Sequence, residues 1–303
     1  LVIAYSRSSW NPNLVPFFSL LYIYSLYKAV KTNMFQWWFL AGVCIGIGLQ
    51  LHYLFTFLIV AGVFFLLLSK KSLKLWGAKL LGVIIGWLPF IVFELRHRFP
   101  NTKTLYQFIF HGKETGLVEM KFQERLGEIV FRLFSRLVFY FPPPEQYYLH
   151  SKNLLFAWRA VIVLTIFTSL IVLIKRIIKT KKAEHLLLIF WLVFGIGLFL
   201  FYRKAVYDYY LGIMFPLPFL LVGNLISSFW QKKILRPLAI SFFSGLLVLN
   251  WYGRPFKSPP NRQLEQVEKI AEIVFEKAEK RPMNFALITG QNSDHAYRYF
   301  LEI

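Results

Sequence analysis

Long apolar runs alternate with short basic clusters along most of the chain. The runs are mostly about 16 to 22 residues long, which is the length at which a helix crosses the hydrocarbon core of a bilayer. They occupy residues 12–27, 37–50, 53–68, 75–93, 153–174, 185–202, 206–226 and 234–251. The pattern predicts an all-α polytopic membrane protein, a transmembrane helix bundle with about eight spans.

The basic clusters between these runs indicate the topology. They are Lys28 and Lys31; Lys70, Lys71 and Lys74; Lys175, Arg176, Lys179, Lys181 and Lys182; and Lys232, Lys233 and Arg236. If every run crosses once, all four clusters face the same side of the membrane. The excess of Lys and Arg in cytoplasmic loops predicts that this side is the cytoplasm.

The stretch GLQLHYLF, residues 48–55, interrupts an otherwise apolar segment that extends over residues 37–68. As one helix this segment would measure about 48 Å, against a hydrocarbon core of about 30 Å. Two short spans that turn near Gln50 and His52 fit better and keep the flanking lysines on one side. We therefore expect His52 in a tight turn at the outer face, either as a hydrogen-bonded turn residue or as part of a site.

A long outer loop follows the fourth run and covers residues 94–152. Within it, apolar residues at helical spacing alternate with a charged face: Phe122, Leu126, Ile129, Leu133 and Leu137 against Lys121, Arg125, Glu128, Arg132 and Arg136. This pattern predicts an amphipathic helix. It lies along the membrane surface or packs on the protein core as a lid, and the sequence leaves both alternatives open.

Beyond residue 252 the sequence changes character. A linker rich in Pro and Gly leads to a helical pattern from Leu264 to Ala278, a strand-like NFALIT at residues 284–289, and a second helix after Ser293 and Asp294. We expect residues 1–252 to form the membrane region and residues 253–303 to begin a small extracytoplasmic α/β module.

Composition supports the membrane assignment and excludes several other classes. The 303 residues are 57% hydrophobic and 19% aromatic. The net charge of +20 could suggest a nucleic-acid partner, but the cations lie in clusters between the apolar runs, so none is expected. The single cysteine, Cys44, permits no disulfide, and no metal-ligand spacing, Walker loop or hydrolase motif is present. The sequence therefore indicates no divalent metal.

The polar residues on the predicted outer side form three clusters that could bind a ligand. Their members are His52 and Tyr53; Glu94, Arg96, His97 and Arg98; and Arg203, Lys204, Tyr207, Asp208 and Tyr209. Cations on the outer side run against the usual charge bias, which favours a local anion such as a lipid phosphate. The alternative is that they extend toward ordinary headgroups or pair with Glu94 and Asp208.

Four segments, in order, carry a resemblance to a known family: YSRSSWNPNLVPFFSLLYIY, GLQLHYLF, WLPFIVFELRHRFPNT and YDYYLGIMFPLPFLL. The chain resembles the GT-C glycosyltransferases of the dolichyl-phosphate-mannose protein mannosyltransferase and aminoarabinose transferase type. The resemblance implies an inverting transferase in the plasma membrane of a bacterium. Its donor would be a polyprenyl-phosphate-linked sugar, used at the extracytoplasmic face, and its acceptor a lipid, glycan or protein. An Asp in the first outer loop is the usual general base, and we expect that loop to precede residue 1.

The resemblance also assigns site residues. Arg7, Asn11 and Asn13 lie in the first motif, with Asn13 about where relatives have Asp. His52 and Tyr53 replace the Thr-Lys of relatives, which leaves a weaker, pH-dependent cation. Arg96, His97 and Arg98 match the loop near the lipid phosphate, and Tyr207 and Tyr209 match an aromatic segment. A transporter or flippase of lipid-linked sugars and a structural membrane subunit are the alternatives; the one-sided clusters favour the transferase.

Overall fold

The computed structural model describes residues 11–68, 73–110, 122–201, 206–254, 262–279, 281–288 and 295–302. Within these ranges the chain forms twelve α-helices. They are α1 (Val15–Thr32), α2 (Phe35–Leu51), α3 (Thr56–Leu68), α4 (Leu73–Arg96), α5 (Pro100–Phe110), α6 (Phe122–Leu137), α7 (Lys152–Thr180), α8 (Ala183–Gly197), α9 (Pro216–Trp230), α10 (Arg236–Tyr252), α11 (Gln263–Lys277) and α12 (His295–Glu302).

The helices long and apolar enough to span a membrane are fewer than the eight spans that the sequence predicts. Four helices are long and apolar enough to cross a membrane: Leu75–Arg96, Lys152–Thr180, Ala183–Leu200 and Lys233–Tyr252. A fifth is possible if Asp208–Met214 and Pro216–Trp230, bent by 52°, form one span. Helices α2 and α3 are apolar but short, about 26 and 20 Å, so neither reaches across a core of about 30 Å alone. Eight crossings therefore remain a prediction.

Helices α1 and α2 form a hairpin, and the residue at its turn explains why the chain reverses there. Asn33 ends α1 in the left-handed conformation, with φ of 58°, and its N–H donates to the carbonyl of Ala29 at 3.0 Å. Asparagine is, after glycine, the residue that best tolerates this conformation at a helix end. The chain then reverses and α2 begins at Phe35.

Helices α2 and α4 pack closely and in parallel through glycines. A Cβ at Gly82 would lie 2.1 Å from the carbonyl oxygen of Phe39, and one at Gly86 would lie 2.6 Å from that of Val43. Because the residue numbers rise together on both helices, the helices run in the same direction. The GxxxG pairs Gly42/Gly46 and Gly82/Gly86 are therefore helix-packing sites. The ends of α2 and α4, at Leu51 and Arg96, lie at the same end of the bundle.

The segment 37–68 is broken where the length argument predicts a turn. Helix α2 ends at Leu51, Tyr53–Phe55 form a single 3-10 turn, and α3 begins at Thr56. A Cβ at Gly48 would meet the ring of Phe55 at 2.5 Å, and one at Gly62 would meet the hydroxyl of Tyr22 at 2.0 Å. Helix α3 therefore folds back beside α1.

The second half of the bundle contains α7 to α10. Ser151 caps α7 by accepting a hydrogen bond from the Leu154 N–H at 3.3 Å, and α7 packs against α9. Helix α8 packs against α3 and so joins the two halves. The buried Trp191 of α8 donates through Nε1 to the Ile213 carbonyl at 3.0 Å, which fixes the 3-10 segment Asp208–Met214 against the core.

The amphipathic helix predicted in the outer loop is present as α6. Its residues Ile129, Leu133 and Leu137 are buried and belong to the main hydrophobic core, whereas Leu126 is exposed. The helix contacts α7, α8 and α9. Of the two alternatives left by the sequence, packing on the protein core accounts for most of the apolar stripe, because the bundle rather than the membrane surface covers it.

The chain divides into two compact units, residues 1–253 and 254–303. In the second unit, α11 and α12 contact each other. No β-strand is present in the described ranges, so the strand expected at residues 284–289 does not form over 284–288. A strand requires a hydrogen-bonded neighbour, and the described part of this unit supplies helices instead. An α/β module is therefore not seen there.

Candidate functional site

The turn after α2 positions His52 through its backbone and its ring. The Leu54 N–H donates to Nδ1 of His52 at 3.2 Å, so the ring caps the 3-10 turn. Because Nδ1 accepts this bond, the neutral ring carries its proton on Nε2. Burial lowers the pKa of His52, which favours the neutral ring over the cation expected from the resemblance.

Tyrosines surround this ring on two sides. His52 stacks on Tyr53, with ring centroids 4.8 Å apart, and contacts Tyr210 at 5.3 Å and Tyr209 at 5.9 Å. Tyr207 and Tyr209 are stacked at 5.8 Å with nearly parallel planes. The structure thus joins two of the predicted clusters into one group, which we call the tyrosine cluster: His52, Tyr53, Tyr207, Tyr209 and Tyr210.

Asp208, which lies between Tyr207 and Tyr209 in the chain, is bound by two arginines of α6. Arg132 donates to Oδ1 from Nε at 3.1 Å and from Nη2 at 2.5 Å, and Arg136 donates to Oδ2. Arg132 also donates to the Val206 carbonyl at 2.8 Å and pairs with Glu128 at 3.1 Å. The Asp208 side chain is 14% exposed. These bonds fasten the tyrosine cluster to α6.

Arg132 and Arg136 were not among the site residues predicted from the sequence. The sequence assigned them to the polar face of an amphipathic helix. Their spacing of four residues, which places both on one helix face, is the only signal that could have found them. Nothing local indicates that this face meets Asp208, which lies 76 residues after Arg132.

The residues of the first motif lie beside the cluster where they are described. Asn11–Leu14 form a 3-10 turn that contacts the segment Asp208–Met214. Asn11 is exposed and Asn13 is half-buried. Arg7, Arg203 and Lys204 lie outside the described residues.

Glu94 has a local structural role. Its carboxylate accepts hydrogen bonds from the backbone N–H and side-chain amide of Asn101, at 3.1 and 2.8 Å. It also accepts from the backbone N–H and hydroxyl of Thr102, at 2.9 and 2.6 Å. Two of these four bonds satisfy orphan backbone N–H groups at the start of α5. The carboxylate is therefore committed to the corner between α4 and α5.

The neighbouring residues Arg96, His97 and Arg98 make fewer polar contacts than Glu94. His97 Nδ1 lies 2.9 Å from the Phe93 carbonyl, and its ring stacks on Phe93 at 4.2 Å. Arg96 and Arg98 are exposed, and across the described ranges neither side chain has an ion pair or hydrogen bond. The side-chain hydrogen bonds and ring contacts of Glu94 and His97 stay within residues 93–102. This cluster and the tyrosine cluster are therefore two groups at the same end of the bundle.

The described ranges contain no group of three or more His, Cys, Asp or Glu side chains that could hold a metal ion. The chemistry this end offers is that of aromatic rings, exposed guanidinium groups and two carboxylates already bound by protein donors. Aromatic faces bind apolar surfaces of sugars and lipids, and guanidinium groups bind phosphate through paired hydrogen bonds.

Comparison with known protein families gives a match to the first part of the chain. Residues 1–93 match the family described as dolichyl-phosphate-mannose-protein mannosyltransferase. The match covers α1 to α3, most of α4 and the His52 turn, and it supports a membrane glycosyltransferase of the GT-C type. No curated protein and no solved structure matches the chain.

Proposed function

We propose that this chain, a membrane glycosyltransferase of the GT-C type by its family match, transfers a sugar with inversion from a polyprenyl-phosphate donor at the extracytoplasmic face. The observation that carries the proposal is the match of residues 1–93. The acceptor is a lipid, a glycan or a protein, and the membrane is the plasma membrane of a bacterium.

The tyrosine cluster is the surface we assign to the sugar and the first isoprene units. Tyr53 is 49% exposed and Tyr207 is 56% exposed, so both offer ring surface to a ligand, while Tyr209 and Tyr210 are half-buried behind them. Binding pockets for organic ligands are lined by such aromatic surfaces with a few polar groups that fix orientation.

Arg96 and Arg98 are the groups we assign to the donor phosphate. Both are exposed, and the parallel packing of α2 and α4 supports their location at the same end as His52. A guanidinium group that is not already paired can bind phosphate without breaking an internal bond. It would also stabilise the charge that returns to the phosphate as the sugar leaves.

Arg132 and Arg136 have a different role in this proposal. Both are bound to Asp208, so they position the tyrosine cluster and do not hold the phosphate. Asp208 and Glu94 each accept three or more hydrogen bonds. We therefore assign the general base to neither carboxylate.

Reconstitution of the full-length protein in vesicles with a radiolabelled polyprenyl-phosphate sugar tests the proposal. We expect label to move to an acceptor, with release of polyprenyl phosphate. Replacing Arg96 or Arg98 with Gln removes a charge-assisted bond of about 1.5–3 kcal/mol, so turnover should fall roughly 10- to 150-fold. Arg236→Gln, at the start of α10, is the control and should leave turnover unchanged.

Two results would contradict the proposal. Normal turnover in both arginine variants would remove them from the donor site. Movement of the intact donor between the two leaflets, with its sugar–phosphate bond uncleaved, would instead identify a carrier of lipid-linked sugars.

A further inference from the structure

A second polar group lies inside the bundle, about two turns from the beginnings of α2 and α4. Lys79 of α4 is only 5% exposed. Its Nζ lies 5.7 Å from the ring centroid of Tyr22 on α1 and 5.5 Å from that of Trp76. A Cβ at Gly42 would fall 1.9 Å from the Lys79 carbonyl oxygen. Glycine at this position therefore lets Lys79 approach α2 closely enough to reach α1.

Three more hydrogen-bond donors are buried on α1 and α2. The Tyr22 hydroxyl, the Ser25 hydroxyl and the Trp38 Nε1–H have no hydrogen-bond partner in the described part of the chain. All three residues are fully buried. Ser25 follows Tyr22 by three residues and shares its helix face, and Trp38 lies one turn before Gly42. Buried donors without an acceptor are rare and costly in native proteins.

The helices around Lys79 supply no negative charge. Residues 1–93 contain no Asp or Glu, and the first acidic residue is Glu94 at the other end of α4. Glu94 is bound to Asn101 and Thr102. Two aromatic rings offset only part of the cost of taking an ammonium group out of water. An ionisable group at membrane depth generally faces a partner or a ligand.

We propose that Lys79, Tyr22, Ser25 and Trp38 form a binding site for a phosphate group. The ammonium group supplies the charge, and the two hydroxyls and the indole N–H supply directed hydrogen bonds. The phosphate belongs to an anionic lipid headgroup or to free inorganic phosphate. Lys79 lies about 9 Å from the start of α4, at the end of the bundle that also carries Lys28 and Lys31, so headgroup depth is within reach. None of its members belongs to the proposed transferase site.

Thermal unfolding of the delipidated chain in detergent tests this site. One titration adds inorganic phosphate at constant ionic strength, and another adds phosphatidylglycerol. We expect one of them to raise the melting temperature saturably, and a response to phosphatidylglycerol alone identifies the lipid headgroup as the source. In Lys79→Met the shift should disappear. Lys31→Met is the matched control, because Lys31 also lies over a tyrosine ring but is exposed, and it should respond like the wild type.

Two milder variants keep the test decisive if Lys79→Met does not fold. Tyr22→Phe and Ser25→Ala each remove one hydroxyl and little else, and each should weaken binding about fivefold. Native mass spectrometry should show one bound phospholipid, or one phosphate, fewer in Lys79→Met than in Lys31→Met. The proposal is overturned if neither ligand shifts the wild-type melting temperature. It is also overturned if the shift is the same in Tyr22→Phe, Ser25→Ala and the wild type.

Discussion

At the scale of single residues, His52 shows how one side chain determines the geometry of a turn. Its backbone N–H donates to the Gly48 carbonyl at the end of α2, and its ring accepts from Leu54 at the start of the next turn. The same ring contacts tyrosines that follow in the chain more than 150 residues later. This one residue therefore connects two segments that are distant in the chain.

The lowered pKa of His52 gives stability a defined pH dependence. The unfolded chain binds a proton near pH 6.5, whereas the folded chain binds it only at lower pH. Stability is therefore fully present above pH 6.5 and is lost as pH falls toward the folded pKa. We expect the melting temperature to fall between pH 7.5 and 5.5, and His52→Asn to remove the His52-dependent part of that fall.

His52→Ala separates the cap from the titration. Alanine cannot accept the Leu54 hydrogen bond, so this variant should lose about 1 kcal/mol at pH 7.5, whereas Asn should keep most of it. Thermal or denaturant unfolding in detergent measures both. An identical pH dependence in the wild type and both variants would show that His52 does not titrate with folding.

The pairing of Asp208 with Arg132 predicts a measurable coupling. In a double-mutant cycle with Asp208→Asn and Arg132→Gln, we expect about 1–2 kcal/mol, because three partly buried charged groups share these bonds. Lys269 and Glu265, an exposed pair four residues apart on α11, are the control and should couple by less than about 0.5 kcal/mol. Equal coupling energies in the two pairs would contradict the inference that α6 holds the tyrosine cluster in place through Asp208.

At the scale of elements, the parallel contact of α2 and α4 depends on glycine at particular positions. Gly82→Ala would place its methyl group against the Phe39 backbone, which cannot move aside as a side chain can. We expect a loss of about 1–3 kcal/mol from overpacking. Gly77→Ala on the same helix meets no atom within 4 Å and should gain up to about 1 kcal/mol from helix propensity. Unfolding of both variants is compared; a neutral Gly82→Ala would contradict the close contact.

Much of the element order is predictable from the sequence, and the reasons are local. Apolar runs fix where helices form, and the length of residues 37–68 is enough to predict the break at His52. Span number is harder, because α2 and α3 are apolar yet too short to cross alone. The strand-like NFALIT has a β pattern, but pairing decides whether a strand forms, and pairing is not local.

The candidate site is predictable only in part. The sequence marks His52, Tyr207 and Tyr209 in separate motifs, and the fold brings them together. Arg132, in contrast, meets Asp208 only because α6 packs on the bundle. Glu94 could have been recognised as a cap, since Pro100 and Asn101 begin a helix shortly after it. The Glu94 carboxylate stabilises the corner between α4 and α5 instead of pairing with the nearby cations.

At the scale of the whole molecule, the parallel helices predict which positions share a side of the membrane. In a Cys44→Ser background, single cysteines at Tyr53 and Arg96 should react with an impermeant reagent from one side. Cysteines at Lys28 and Lys181 should react from the other. Labelling of positions 53 and 96 from opposite sides would contradict the arrangement of α2 and α4.

We expect the spacing of cations along α7 to make the protein sensitive to the length of lipid acyl chains. Near its start, Arg159 lies against the rings of Tyr147 and Phe141, at 5.1 and 5.9 Å, and Lys175 begins the basic cluster near its other end. The rise along the helix between these two cations is about 24 Å, less than a typical core of about 30 Å. Short-chain lipids match this interval directly. Longer chains force the bilayer to thin around α7, or the cations to stretch toward water, at a cost of fractions of a kcal/mol per ångström.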